Sequence, residues 1–297
     1  MRVTFNSYRD ESISQINRNA TTQAKVQQQL SSGQNVTTAD QDPLTAQKIL
    51  DLQGNTAQTQ RYYQNAGNAL DINKVAYNAV DGTRQASDRV SEIMSSVNAM
   101  TLPDQMTANS TEINGLIEKS LASANGQYDG KYLLGGTKTD TPPFVAMRDG
   151  DGNITSVTYT GAAKGADFQV GPNSTVSPYP DGDSNSALAD FMNNLVATRD
   201  AFNTGDPNQA LAQQSNLTAS NDAIMSSLAS LGSQQKTLQD VQDTASSDYD
   251  DLNTKISGLN DVNVAQATID LTKSQTAYQA SLQSTAKIMQ HSLLDYL

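Results

Sequence analysis

The fold of this chain is decided by residues 217–259, which read LTASNDAIMSSLASLGSQQKTLQDVQDTASSDYDDLNTKISGL. Counted at alternating steps of four and three residues, this stretch keeps apolar side chains and uncharged amides on one line. The positions are Leu217, Asn221, Ile224, Leu228, Leu231, Gln235, Leu238, Gln242, Ala245, Tyr249, Leu252, Ile256 and Leu259. A register sustained over six heptads predicts a long helix that requires other long helices beside it.

Three further stretches carry stripes of the same kind. The stripe between residues 72 and 100 is formed by Ile72, Ala76, Ala79, Thr83, Ala86, Val90, Ile93, Val97 and Met100. A weaker N-terminal stripe is formed by Ile13, Ile16, Ala20, Gln23, Gln27 and Leu30. The C-terminal stripe is formed by Leu271, Gln275, Tyr278, Leu282, Thr285, Met289, Ser292 and Tyr296, with Leu293 and Leu294 beside it. Both ends of the chain are therefore predicted to be helical.

Glycine and proline set the predicted helix ends. Gly33 can take the left-handed conformation that closes a first helix of about residues 7–30. The pairs Asp42–Pro43 and Asp206–Pro207 each combine an N-cap carboxylate with a proline at the first helical position. Further helices are expected from 43 to about 100, between Pro103 and Gly126, from 186 to 205, and without a break from 207 to about 259.

The middle of the chain differs in composition from the helical stretches on either side. Glycine, proline and aspartate recur between residues 137 and 185, which excludes helix over most of that span. Residues 154–159 alternate as a strand does, and 144–147 and 167–170 are further short strand candidates. The predicted fold class is therefore mainly α, with long coiled-coil-like helices from both termini packed as rod bundles and a small β-rich inserted domain.

Three domains follow from this pattern. The terminal helices, residues 1–42 and 257–297, are expected to form an inner assembly domain. Residues 43–136 and 186–256 are expected to form a helical rod domain, and residues 137–185 a surface-exposed β insertion.

Composition excludes several classes of protein. The 297 residues contain no cysteine and no tryptophan, and aromatic residues make up 5% of the chain, which favours slender bundles over a thick core. A formal charge of -12 disfavours binding to nucleic acid. No apolar stretch suits a secretory signal or a membrane-spanning helix, so neither a membrane nor a cleaved signal peptide is expected.

Motifs for catalysis or cofactor binding are weak. The stretch 149–153 begins like a calcium loop, but Ile154 and Thr160 stand where the loop needs glycine and glutamate, so a hairpin turn is predicted. His291 has no nucleophile or carboxylate cluster near it in sequence, and Gly135–Gly136 is too short for a phosphate loop. We therefore expect no enzyme, no cofactor and no metal site.

Both ends of the chain are poor in charge and rich in Gln, Asn, Ser and Thr. After Ile256 the charged residues are Asp261, Asp270, Lys273, Lys287 and Asp295. A solvated lone helix normally carries more charge. Two interpretations stay open on the residues alone: a helical pair within one monomer, or stripes that stay open until further copies assemble around them.

Several motifs resemble the flagellin family. Residues 30–36, LSSGQNV, and 39–43, ADQDP, are similar to the loop that joins the first two helices of that family. Residues 1–4 with Tyr8, and 130–144, which begin GKYLLGGTKT, are similar to members located where flagellar hook meets filament. Residues 256–259, ISGL, and the C-terminal SLLDYL of 292–297 resemble the same members.

This resemblance implies an extracellular structural part of the bacterial flagellum, used in motility and exported through the flagellar type III apparatus. It implies an adaptor between hook-associated protein 1 and flagellin that self-associates in a helical lattice and has an export chaperone. The expected assembly interface consists of Ile13, Ile16, Ala20, Leu30, Asp42, Leu271, Tyr278, Leu282, Met289, Leu293, Leu294 and Tyr296. A minor flagellin that builds the filament itself is the alternative, and a secreted effector with helical arms is a remote one.

Overall fold

The computed structural model describes the backbone of residues 5–40 and 42–294, and the side chains of residue 7 and of residues 10–40 and 42–287. Its helices are α1 (Phe5–Ser32), α2 (Pro43–Ser96), α3 (Pro103–Ala124), α4 (Gly182–Asn203), α5 (Pro207–Ala212), α6 (Gln214–Asn260) and α7 (Val264–Leu294). Its strands are β1 (Gln127–Tyr128), β2 (Lys131–Tyr132), β3 (Phe144–Arg148), β4 (Ile154–Tyr159), β5 (Phe168–Gly171) and β6 (Ser174–Val176). The predicted fold class, mainly α with a small β-containing region, is confirmed.

The chain divides into two compact units. The first, the terminal unit, combines Met1–Gln58 with Asp248–Leu297, and the second, the central unit, is Thr59–Ser247. Helices α2 and α6 contribute residues to both. The finer division into three domains stays a prediction.

Local capping explains where the helices begin and end. Gly33 has a φ of 73°, which is the left-handed conformation, and its N–H donates to the carbonyl of Gln29 at 2.9 Å. The carboxylate of Asp42 accepts from the N–H of Thr45 at 3.1 Å, and α2 begins at the following proline. Both predicted signals are confirmed, although α1 continues to Ser32.

The core of the central unit joins α2, α3, α4 and α6 with the β3–β4 hairpin. Phe191, Leu195 and Phe202 of α4 and Ile113 and Ile117 of α3 are almost fully buried in it. From the predicted stripes, the buried members include Ala76, Thr83, Ala86, Val90 and Ile93 of α2, Val97 just after it, and Leu217, Ile224, Leu228, Leu231, Leu238 and Ala245 of α6. The predicted stripes of α2 and α6 are therefore largely buried in this unit.

Two helix predictions were wrong, and α4 begins at Gly182, four residues before its predicted start. Met100 does not continue the α2 seam, because α2 ends at Ser96 and a turn leaves the Met100 side chain 90% exposed. The helix after Pro207 is also interrupted: α5 ends at Ala212, and the N–H of Gln213 bonds back three residues, to the carbonyl of Ala210, at 3.0 Å. This tight turn closes α5 before α6 starts at Gln214.

The strands form three separate antiparallel pairs, β1–β2, β3–β4 and β5–β6. The candidates at 144–147, 154–159 and 167–170 are confirmed as β3, β4 and β5, with ends displaced by up to one residue. The sequence interpretation missed β6 and the β1–β2 pair. The sequence did contain a signal for the β1–β2 pair, the Asp129–Gly130 dipeptide, which is typical of tight hairpin turns. Both residues have positive φ in the turn between the strands.

Candidate assembly surface

In the terminal unit, α1 and α7 pack against each other along their lengths. On α1 the half-buried side chains recur at Ser12, Ile16, Asn19, Gln23, Val26 and Leu30. On α7 the buried and half-buried side chains recur at Ala267, Leu271, Ser274, Tyr278, Ser281 and Thr285. Both sets follow steps of four and three residues, so the contact has heptad spacing. We refer to these twelve residues as the terminal seam.

The terminal seam lies one position away from part of the predicted stripes. Ile16, Leu30, Leu271 and Tyr278 are in the seam, whereas Ile13 is 45% exposed and Leu282 is 43% exposed. Two heptad registers overlap in these sequences, and the structure uses the more polar one for the contact. The more apolar positions of the other register are thereby left toward solvent, and Ala20 lies half-buried beside the seam.

A polar contact joins the two helices near the middle of α1. The side-chain amide of Asn19 donates to the Oγ of Ser281 at 2.7 Å and to the carbonyl of Ala277 at 3.4 Å. The predicted stripes missed both Asn19 and Ser281, because they follow the more apolar of two overlapping registers and include Ala20 and Leu282 instead. The signal available was their spacing: Ile16, Asn19 and Gln23 are separated by three and four residues.

Few side chains are buried in the terminal unit. Among its described residues only Ile49, Ala267 and Ser274 are less than 9% exposed. Six large apolar side chains of the same unit are well exposed, namely Ile13, Leu44, Leu50, Val264, Ile269 and Leu282. A helical pair with so little buried apolar area gains little from the hydrophobic effect, which is the main force that holds helices together in water.

The loop between α1 and α2 is fixed by backbone bonds to the end of α6. The N–H of Asn35 donates to the carbonyl of Asn260 at 2.5 Å, and the N–H of Val262 donates to the carbonyl of Gly33 at 3.0 Å. A groove of about 240 Å³ lies beside this loop and is lined in part by Val36, Ala46, Ile49 and Leu50.

Asp42 is placed by its capping role at the start of α2. Hydrogen bonds from Thr45 hold the pKa of its carboxyl below the usual value. The other predicted interface residues fall outside the described side chains: Met289, Leu293 and Leu294 belong to α7, and Tyr296 lies beyond the described backbone. The whole interface set therefore stays a prediction.

The acidic turn at 149–153 is confirmed as the loop between β3 and β4. The Asp149 carboxylate accepts from the N–H of Asp151 at 3.0 Å and from that of Asn153 at 2.8 Å. These backbone bonds, above all those from Asn153, lower the pKa of Asp149. In the part of the chain that the structure describes, no three His, Cys, Asp or Glu side chains come together in a metal-binding arrangement, and no helix is long and apolar enough to span a membrane.

Comparison with known proteins gives a clear result for the fold. No family model and no curated protein matches the sequence. Several solved structures match over most of the chain. A protein described as a flagellar hook-associated protein from Vibrio parahaemolyticus has a TM-score of 0.64 and 16% identity, covering 74% of this chain and 100% of its own. FlgL from Bacillus cereus has a TM-score of 0.60 and 17% identity, covering 70% of this chain and 99% of its own.

The third match is flagellar hook-associated protein 3 from Legionella pneumophila. Its TM-score is 0.58 at 11% identity, and the alignment covers 71% of this chain and 98% of that protein. At such identities the likeness concerns the fold. The chain thus shares the fold of several hook-associated proteins across nearly their entire solved lengths.

Proposed function

We propose that this chain is a structural component of the bacterial flagellum of the hook-associated protein 3 type, acting as the adaptor at the hook–filament junction. On this proposal it links hook-associated protein 1 to flagellin outside the cell. The observation that carries it is the shared fold, which extends over 98–100% of the three solved hook-associated structures. The sequence motifs at both ends of the chain point to the same group of proteins.

The terminal unit supports a role in assembly. Its helices leave Ile13, Ile269 and Leu282 exposed, while the seam between them is half-filled with polar groups. Helices from neighbouring copies can cover those exposed side chains and add the apolar burial that one copy lacks. We therefore assign the interface set to subunit contacts, namely Ile13, Ile16, Ala20, Leu30, Asp42, Leu271, Tyr278, Leu282, Met289, Leu293, Leu294 and Tyr296.

No covalent step belongs to this mechanism. The adaptor forms one set of contacts with the lattice below it and another with the lattice above it, and the exposed apolar side chains of the terminal unit contribute to them. Export through the flagellar type III apparatus, with a chaperone for the unassembled chain, completes the proposal.

Immunogold electron microscopy of intact cells tests the assignment directly. An antibody against residues 140–185 is suitable, because that segment includes the exposed side chains of Val145 and Met147. We expect one narrow band of label where hook meets filament. Label along the whole filament would instead identify a minor flagellin, which the α1–α2 loop motif also favours, and absence of label from the flagellum would reject both.

The assembly interface is tested by Leu282→Asp, which places a charge on an exposed apolar position of α7. We expect the variant to be exported but to support few filaments, because a buried charge without a partner is costly in a packed interface. The matched control is Gln283→Asp, which adds the same charge at the neighbouring exposed position. Filaments would be counted by electron microscopy of cells that lack the native chain, and normal numbers with Leu282→Asp would contradict the interface.

A further inference from the structure

Two Asn–Gly dipeptides occur in the chain, Asn114–Gly115 and Asn125–Gly126. In this dipeptide the backbone nitrogen of glycine is unshielded by a side chain, and the glycine backbone can rotate freely. That nitrogen can attack Cγ of the asparagine and close a five-membered succinimide ring. Its proton passes to solvent, and Nδ2 takes up a proton and leaves as ammonia. Water then opens the ring at either carbonyl and gives aspartate or isoaspartate.

The structure places the two asparagines in different surroundings. Asn114 lies inside α3, where the helical backbone hydrogen bonds continue on both sides of it. Its Oδ1 accepts from Nη1 of the buried Arg199 at 3.0 Å, and its Nδ2 is 3.3 Å from Oδ1 of Asn153. Asn125 follows the last residue of α3, with φ -92° and ψ 23°, so no helix extends beyond it.

Asn125 holds both backbone polar groups of one strand residue. Its Nδ2 donates to the carbonyl of Phe144 at 2.8 Å, and its Oδ1 accepts from the N–H of Phe144 at 3.0 Å. We refer to this pair of bonds as the Asn125 clasp. Phe144 is 2% exposed and is the first residue of β3, so the clasp fastens the buried start of the β3–β4 hairpin to the end of α3.

Hydrogen bonds hold both of the groups that would react. The carboxamide that carries Cγ is held in place by Phe144. The attacking nitrogen of Gly126 is held as well, because its N–H donates to the carbonyl of Ser123 at 3.0 Å. Ring closure requires these three hydrogen bonds to open and the backbone after Asn125 to rotate. The folded chain does this only by local unfolding.

We propose that Asn125 is a deamidation site that folding closes, so that the modification accumulates only while the chain is unfolded. The product destroys the clasp that protected the residue. An aspartate at this position has two acceptor oxygens and no Nδ2 donor, so the carbonyl of Phe144 loses its partner and faces a negative charge. Isoaspartate additionally lengthens the backbone between α3 and β1. A chain modified before it folds is therefore expected to fold with a loosened hairpin, and this inference does not depend on the proposed function.

The site is tested by peptide mass spectrometry of the full chain, incubated at neutral pH with and without a denaturing concentration of urea. In urea we expect Asn125 and Asn114 to deamidate faster than the asparagines that no glycine follows. In the folded chain we expect the rate at Asn125 to fall by at least about tenfold. Equal rates at Asn125 in the folded and unfolded chains would overturn the proposal, and so would a rate in urea no higher than at the other asparagines.

The consequence is tested by Asn125→Asp, the product of the reaction, with hydrogen exchange measured over Phe144–Arg148. We expect exchange in that strand to rise by about tenfold or more, since a buried carbonyl left without its donor weakens the local fold. The control is Asn173→Asp, which makes the same chemical change at an exposed position in the turn between β5 and β6. Unchanged exchange in Phe144–Arg148 of the Asn125 variant would overturn the role of the clasp.

Discussion

Asp181 shows how one carboxylate sets the start of α4. Its Oδ1 accepts from the N–H of Ser184 at 2.8 Å, and its backbone carbonyl accepts from the N–H of Asn185 at 3.1 Å. The first is the N-cap bond, which satisfies a donor that the first turn of a helix leaves without an intrahelical partner, and the second is the first hydrogen bond of the helix itself. The backbone hydrogen bond from Ser184 is the main reason that the pKa of Asp181 is lowered.

Asp181→Ala is expected to lower the free energy of unfolding by about 1 kcal/mol near neutral pH. The difference from the native chain should be complete above pH about 4, the ordinary aspartate pKa. It should shrink as the pH falls through the depressed native pKa, because protonation then removes the charged acceptor in the native chain as well. Urea denaturation at a series of pH values measures this. Asp181→Asn, which keeps a neutral acceptor, should be more stable than Asp181→Ala by an amount that does not change with pH.

Asn193 binds the outer edge of β4 much as Asn125 binds β3. Its Oδ1 accepts from the N–H of Val157 at 2.8 Å, and its Nδ2 donates to the carbonyl of Val157 at 2.9 Å. The two asparagines therefore satisfy backbone groups that a two-stranded sheet leaves unpaired on its edges. No sequence pattern gives these contacts, since each depends on which residue the tertiary fold brings opposite.

Asn193→Ala is expected to destabilise the chain by about 1–3 kcal/mol, because the buried Val157 keeps an N–H without an acceptor. Asp190→Ala, at an exposed position of the same helix, is expected to change stability by less than about 0.5 kcal/mol. Urea denaturation of both variants measures these changes in stability. Equal stabilities for the two variants would show that Asn193 does not hold the strand.

At the scale of elements, the long helices were predictable and their exact partners were not. Heptad spacing and the caps at Asp42 and Asp206 locate α2 and the start of α5, because both signals are local in sequence. The break at Gln213 carries no glycine or proline, so nothing in the sequence marks it. The terminal seam could not be chosen either, because α1 and α7 each contain two overlapping registers and only the packed pair selects one.

The α6 seam gives a prediction for element packing. Leu231 is fully buried, whereas Leu252, further along the same predicted stripe, is half-buried. Leu231→Ala is expected to cost about 2–5 kcal/mol of unfolding free energy, since it leaves a cavity in a close-packed core. Leu252→Ala should cost clearly less. The comparison uses denaturation monitored by circular dichroism, and equal losses would show that the seam is uniform along α6.

At the scale of the whole molecule, burial is unevenly divided between the two units. The central unit contains nearly all of the buried side chains, while only three described residues of the terminal unit are buried. Stability inside a protein follows buried apolar contact, so cooperative opening of the two units is expected to differ.

Hydrogen exchange of the isolated monomer is expected to be faster in residues 264–287 than in residues 103–124 of α3. The physical reason is that α7 makes a half-polar seam with α1, whereas α3 places Met106, Ile113 and Ile117 in the core. Exchange followed by mass spectrometry resolves these segments. Strong protection throughout residues 10–40 and 264–287 would show that one copy completes this pair by itself, and the proposal of an open assembly surface would then fail.

The hydrogen bond between Asn19 and Ser281 contributes more to the alignment of α1 with α7 than to the stability of the helical pair. Apolar seams tolerate a shift by one heptad, because each leucine finds another apolar neighbour, but an amide keeps its hydrogen bond only where a polar partner lies opposite. A slip of α1 by one heptad along α7 would bring Asn19 opposite Ile288 in one direction, where the bond is lost, and opposite Ser274 in the other. The bond between Asn19 and Ser281 therefore opposes a shift of the two helices in one direction, and it helps helices that have separated to pair again in the same register.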